Sequence, residues 1–306
     1  MKKLFTALVL VSAALSASAR ETIQIIYGFS AADNSANYSR TLAEEANKIQ
    51  DKYNFIFDAK PGAGGTVAAR YVANTPNTIL STSSAFFIRA SVFPNESYNL
   101  SDFTTLMSEC TAPMVITSSK YKRWKEVPRD IPWNIGTSGL GVTTHLAAIQ
   151  LKKKFDNIEV VPFKATSESI ISMVGGQTDL HIGFISEAEQ WSKENTKADR
   201  KVSVLGITGT KVINGYTPLV KQGFDHSFAD MNVGHHLLVP ETIEDSKRKE
   251  FFEIFAKAAK TESVRTAYAV DYCEPQTVEY KNLNKFFDFH TTYWKKLASQ
   301  VKLDSK

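Results

Sequence analysis

The sequence predicts an α/β fold of two lobes, hinged like a clamshell. Three observations predict it. β-branched runs alternate with segments whose apolar residues recur at helical spacing. The pattern runs once and then restarts after "PMVITSS", residues 113–119. No low-complexity linker separates the halves, and both junctions, "PMVIT" and "HHLLVP", read as strands. Two α/β units joined by two extended crossings make a hinge, and ligands of such proteins sit between the lobes.

Each element follows from local pattern. "TIQIIYGF" is a β-branched strand that runs into a polar loop. "YSRTLAEEANKI" places Leu42, Ala46 and Ile49 on one helical face. "FIFDA" is a short strand, followed by the glycine turn "KPGAGGT" and a helix striped by Val67, Ala68, Tyr71 and Val72. "NTILSTSS" is a third strand with a hydroxyl-rich exit. This β-α-β-α-β order indicates parallel pairing with helices on the sheet faces. In the second unit "DIPWNIGTSG" is a strand and turn, and "VTTHLAAIQLKKKF" a helix with Val142, Leu146 and Ile149 on one face. Its lysines 152–154 sit where the helix dipole favours them. "IEVVPFK", the helix "SESIISMVGG", "DLHIGFI" and "KVSVLGIT" continue the alternation. "HHLLVP" then leads to a helix through "EDSKRKEFFEIFAKAAK", and "NLNKFFDFHTTYWKKL" is the last helix.

Composition narrows the function. With 43% hydrophobic and 22% charged residues among 306, the chain is ordered and fills one large or two medium domains. Residues 1–19 carry Lys2 and Lys3, an apolar run from Leu4 to Leu15, and Ala17-Ser18-Ala19. This is the layout of a secretory signal peptide cleaved after Ala19, so a periplasmic protein is expected. Losing both lysines lowers the formal charge of +4 by two, too near balance to indicate nucleic acid. Cys110 and Cys273 fit no metal spacing, and an exported chain can pair them or bury them as free thiols. Neither a metal nor a cofactor is expected.

Four loops rich in Gly, Ser and Thr follow strands, where ligands of open α/β sheets bind: residues 28–37, 60–66, 81–87 and 136–144. Two lead straight into helix N-termini, which favour an anion. Four or five charge-assisted hydrogen bonds of about 1.5–3 kcal/mol each would hold a carboxylate at micromolar affinity. Catalytic readings are weaker. "GAGGTV" ends in Val67, so it is neither G-x-G-x-x-G nor a P-loop. Ser138 has Gly136 two residues before it but Leu140 two after, which breaks the nucleophile-elbow spacing. His145 reads as a capping or packing residue, and His235 and His236 point to opposite faces of a strand. His181, His226 and His290 stand alone, and Glu168 and Glu187 read as solvated or helix-capping. Phe29, Phe86, Phe87 and Phe184 are candidates for cleft lining or for core.

The chain resembles the periplasmic solute-binding proteins of tripartite tricarboxylate transporters, the Bug or TctC-type family. The matching pieces run in order: "YGF", "KPGAGGTVAARYVA", "IGTSGLGVTTHLAA", "VVPFKATSESIISMVGGQTDLHIGF", and "LLVPETI" before a long helix. They span roughly residues 21–300. The resemblance implies a type II, Venus-flytrap fold, each lobe a mixed, mostly parallel sheet flanked by helices. With two crossover strands, lobe one is expected at 20–116 plus 241–306 and lobe two at 117–240. It implies a small carboxylate ligand held between the lobes, a membrane permease as partner, and no enzymatic activity. Phe29, Ser30, Gly64, Gly65 and Thr66 would clasp the carboxylate from lobe one. Thr137, Ser138, Gly139 and Thr143 would do so from lobe two. Ser83, Ser84 and Phe184 complete the expected site.

The first loop departs from the family. Counting back from Arg40, Ala32, Asp33 and Ala36 stand where relatives have two glycines and an aspartate. "PYKG" reads "PFKA", which removes a phenolic donor. Asp33 therefore joins the candidate site, and an amino acid whose amine pairs with it is a second possible ligand. A neutral solute, a sensory role without a permease, and a hydrolase built on Ser138 and His145 are also open. No heptads or leftover apolar helix faces are evident, so a monomer is expected.

Overall fold

A computed structural model describes residues 20–95, 98–194 and 201–299. The expected signal peptide, 1–19, lies outside the described residues. The chain opens with β1 (Glu21–Tyr27), α1 (Ala36–Lys48), β2 (Tyr53–Ala59), α2 (Thr66–Ala73), β3 (Thr78–Ser83), α3 (Ala85–Val92) and β4 (Phe103–Ala112). It crosses at Pro113 into β5 (Met114–Ser118), β6 (Trp133–Thr137), α4 (Thr143–Lys152), β7 (Ile158–Pro162), α5 (Thr166–Val174), β8 (Leu180–Phe184), α6 (Ile185–Glu194) and β9 (Ser203–Ile207). It returns through β10 (Val233–Pro240), α7 (Asp245–Ala258), α8 (Glu262–Ala269), β11 (Glu274–Pro275) and α9 (Leu283–Ser299).

Two sheets result, ordered β11-β4-β10-β3-β1-β2 and β7-β6-β8-β5-β9. The expected parallel pairing covers β2-β1-β3 and β7-β6-β8, where βαβ crossovers connect the strands. β4, β5, β9, β10 and β11 pair antiparallel; β4, β5 and β10 carry the chain between lobes rather than over a sheet face. The expected lobe boundaries shift accordingly. β10, placed by sequence in lobe two, wedges between β3 and β4 of the first sheet. β5 begins the second sheet at Met114, ahead of the expected break after residue 116.

The helical faces read from sequence are mostly buried, although Val67, placed in the stripe of α2, is exposed. Leu42 and Ala46 of α1 are buried with Ile23, Phe55 and Phe255, while Ile49, just past the helix end, is exposed. Leu146 of α4 is buried with Ile135 and Leu180. β3 is buried at all six positions, as expected of a strand covered on both faces. Cys110 on β4 and Cys273, just after α8, form a disulfide that closes a separation of 163 residues.

α3 replaces an expected loop. Phe86 and Phe87 pack with Phe103, Phe287 and His290, so both belong to the core and not to the cleft. His235 and His236 do face opposite ways, one toward Tyr38 and Phe184, the other toward Phe87 and Phe286.

Candidate binding cleft

A cleft lies between the lobes. Six residues singled out from sequence line it: Phe29, Asp33 and Ser83 from lobe one, and Ser138, Thr143 and Phe184 from lobe two.

The second-lobe wall is built from two helix starts. The N-caps of α4 and α5 are Val142 and Ala165, and neither offers a side-chain cap. Both line the cleft, with Thr143, Thr166 and Lys164 beside them. The first N–H groups of both helices therefore lack intrahelical partners on the wall of one cavity. Thr143 is 2% exposed, and its Oγ1 has no hydrogen-bond partner among the described residues. Ser138 shares a 2.8 Å hydrogen bond with Thr144 Oγ1, not with His145. Burial lowers His145 to about 4, with Lys152 a smaller contributor, so the imidazole stays neutral. A serine without a base is not an acyl-transfer nucleophile.

The glycine turn takes a different role from the one expected. Gly64 adopts φ +61°, and a Cβ there would meet Arg89 Cδ at 2.6 Å. Arg89 is buried, donates from Nε to Thr66 Oγ1 at 3.2 Å, and donates from Nη1 to Leu140 O at 2.7 Å across the lobes. The turn thus seats an arginine stem, and Gly64, Gly65 and Thr66 do not line the cleft. Gly65 backs onto Phe29 instead. Ser30, Ser84, Thr137 and Gly139 are also outside the lining. Ser30 Oγ accepts from Ala32 N, and Ser84 Oγ accepts from Gly234 N. Thr137 is fully buried.

Sequence reasoning missed the hinge side. Tyr27, Ser35 and His235 line the cleft; Ser35 falls in the loop 28–37 singled out from sequence, while Tyr27 and His235 sit inside strands and carry no local mark of a ligand contact. Asn34 donates to Ser186 Oγ at 3.0 Å, and Ser186 donates to Asp271, joining α6 to lobe one. Asp271 is fully buried and also accepts from Tyr38 at 2.5 Å. Burial raises its pKa, although both hydrogen bonds oppose the shift. Glu187, in the first turn of α6, accepts from Phe184 N and lies 3.6 Å from His181 Nε2. It caps its helix as expected, as does Glu168, which accepts from Lys164 N. His181 is not isolated, since its Nδ1 bonds Ser169 at 2.8 Å.

Two mixed α/β sheets enclosing an interlobe cleft define a two-lobed solute-binding protein of the periplasmic type. The periplasmic binding protein BugD superposes with a TM-score of 0.78 at 18% identity, covering 92% of this chain and 97% of that one. MatC from Rhodopseudomonas palustris, with bound malate, gives 0.73 at 17%, over 91% and 99%. An R. palustris protein with adipate gives 0.77 at 16%, over 91% and 96%. No curated protein sequence matches the chain. The family model "Tripartite tricarboxylate transporter family receptor" matches residues 38–303. The chain belongs to that family, whose members are solute receptors and not enzymes. No described helix is long and apolar enough to cross a membrane.

Proposed function

We propose that the mature chain captures a small carboxylate between its lobes and delivers it to a tripartite tricarboxylate-type permease. The observation that carries this is the pair of helix starts, α4 and α5, on one cleft wall, whose N-cap residues Val142 and Ala165 offer no side-chain cap. Each favours negative charge by roughly 0.3–1 kcal/mol, and more when water is excluded. Thr143, Ser138 and Lys164 add donors beside them. Malate and adipate in two proteins of the same fold support the same ligand class. Export follows from the amino-terminal layout, with cleavage after Ala19 and function in the periplasm. Closure on the ligand is the signal the permease reads, a shift of population toward the bridged state.

A thermal-shift screen of residues 20–306 against mono-, di- and tricarboxylates tests the reading. At 100 times Kd a ligand adds about 2.7 kcal/mol of stability. A shift for one acid that Ser138→Ala or Thr143→Val weakens is expected. A well-folded protein that no carboxylate stabilises would overturn the proposal.

A further inference from the structure

The first-lobe wall of the cleft has the opposite chemistry. Asp33 lines it from the loop between β1 and α1 and is half-buried. Every charge acting on it is negative: Glu187 from α6 and Asp271 from beyond α8. It forms no ion pair among the described residues. Burial first, then Glu187 and Asp271, raises it to about 7, although a hydrogen bond from the Ser30 backbone opposes the shift. Tyr27, packed behind, stays a neutral phenol hydrogen-bonded to Ser35. Lys164, the cation of the lining, belongs to the other lobe, where its side chain is exposed.

A second, independent feature lies on the same wall. His235, from β10, is 4% exposed and lines the cleft, and its Nε2 has no partner among the described residues. Burial lowers its pKa to about 4, so the ring is neutral and offers one acceptor nitrogen and one N–H. A buried ring nitrogen without a partner is costly unless a ligand or water satisfies it. A carboxyl and a neutral imidazole lining one cavity suit a ligand group with several N–H donors and a positive charge.

We propose that Asp33 and His235 bind the ammonium end of a zwitterionic ligand whose carboxylate sits at the starts of α4 and α5. The inference rests on the carboxylate reading above and narrows it to small amino carboxylates over plain di- or tricarboxylates. An ammonium selects the ionised form of Asp33, which is about one-tenth of the protein at pH 6 and nine-tenths at pH 8. Affinity therefore rises about tenfold across that interval. A second ligand carboxylate would instead need Asp33 protonated, and its affinity would fall.

Isothermal titration of residues 20–306 with matched pairs tests this: glutamate and glutarate, aspartate and succinate, 4-aminobutyrate and butyrate, at pH 6, 7 and 8. The amino member of at least one pair is expected to bind about tenfold or more tighter than its mate, and to tighten as pH rises. Asp33→Asn should abolish both the preference and the slope. Glu187→Gln removes a negative neighbour and should move the slope to lower pH. Plain acids binding as well as or better than their amino mates would overturn this inference and leave the carboxylate reading standing. A preference that survives Asp33→Asn in a folded variant would also overturn it. Binding of neither kind would remove both.

Discussion

Arg89→Met separates a bond that closes the lobes from one that only holds a lobe together. The guanidinium donates to Leu140 O across the cleft at 2.7 Å and to Thr66 Oγ1 within lobe one at 3.2 Å. It also lies 4.5 Å over the Phe93 ring. A hydrogen bond from a charged donor contributes about 1.5–3 kcal/mol. Of these three contacts the Leu140 bond is the one that spans the lobes, so its loss weakens closure by about 10- to 150-fold. Leu140 is exposed, and water can take the freed carbonyl, which favours the lower end. Ligand affinity should then fall about tenfold, since an empty protein with parted lobes must close to bind. Methionine keeps most of the apolar stem against Gly64 and Phe93. Thr66→Val is the control: it breaks the within-lobe bond and should cost about 1 kcal/mol of stability with little change in affinity. The assay is isothermal titration with the ligand found by screening, paired with small-angle scattering of the ligand-free forms. Arg89→Met within twofold of the parent, with no change in scattering, would refute the bridging role. So would an equal loss of affinity in Thr66→Val.

Removing the disulfide by Cys110→Ala with Cys273→Ala should destabilise the chain by up to about 5 kcal/mol, because the bond closes 163 residues. Thermal melting should fall by about 10 °C or more, and a fall under about 3 °C would contradict the assignment. Glu109 is fully enclosed and raised to about 7 by burial, although Ser39 donates to both its oxygens. The folded chain holds that proton more tightly than the unfolded one. The corresponding stability, about 3 kcal/mol, is complete below about pH 4.5 and lost as pH rises to about 7. Glu109→Gln should flatten this slope in urea titrations at pH 5 and 8, and an unchanged slope would assign it elsewhere.

The outer strands and amphipathic helices were legible because one face of each is apolar and the other wet. α3 was not, because Phe86, Phe87, Ile88 and even Arg89 are all buried, and a helix enclosed on every side shows no stripe. β4 hid for the same reason: it is buried at nearly every position, and Glu109 and its threonines interrupt the apolar run. The site divides similarly. Ser138 and Thr143 were readable because a glycine turn entering a helix is local chemistry. The glycine turn at 62–65 was readable as a seat for a charged group, but that group is the protein's own Arg89.

Sequence alone therefore determined the two α/β units, the crossings between them and the anion-favouring start of α4, because each depends on residues a few positions apart. Tertiary structure decided that β10 joins the first sheet and that Arg89 fills the glycine turn. It also brought the charges of Glu187 and Asp271 to bear on Asp33, which lines the cleft with His235. Those residues lie far apart along the chain. Only the packing of two lobes sets how near their charges stand, how dry they are, and so what ligand end they accept.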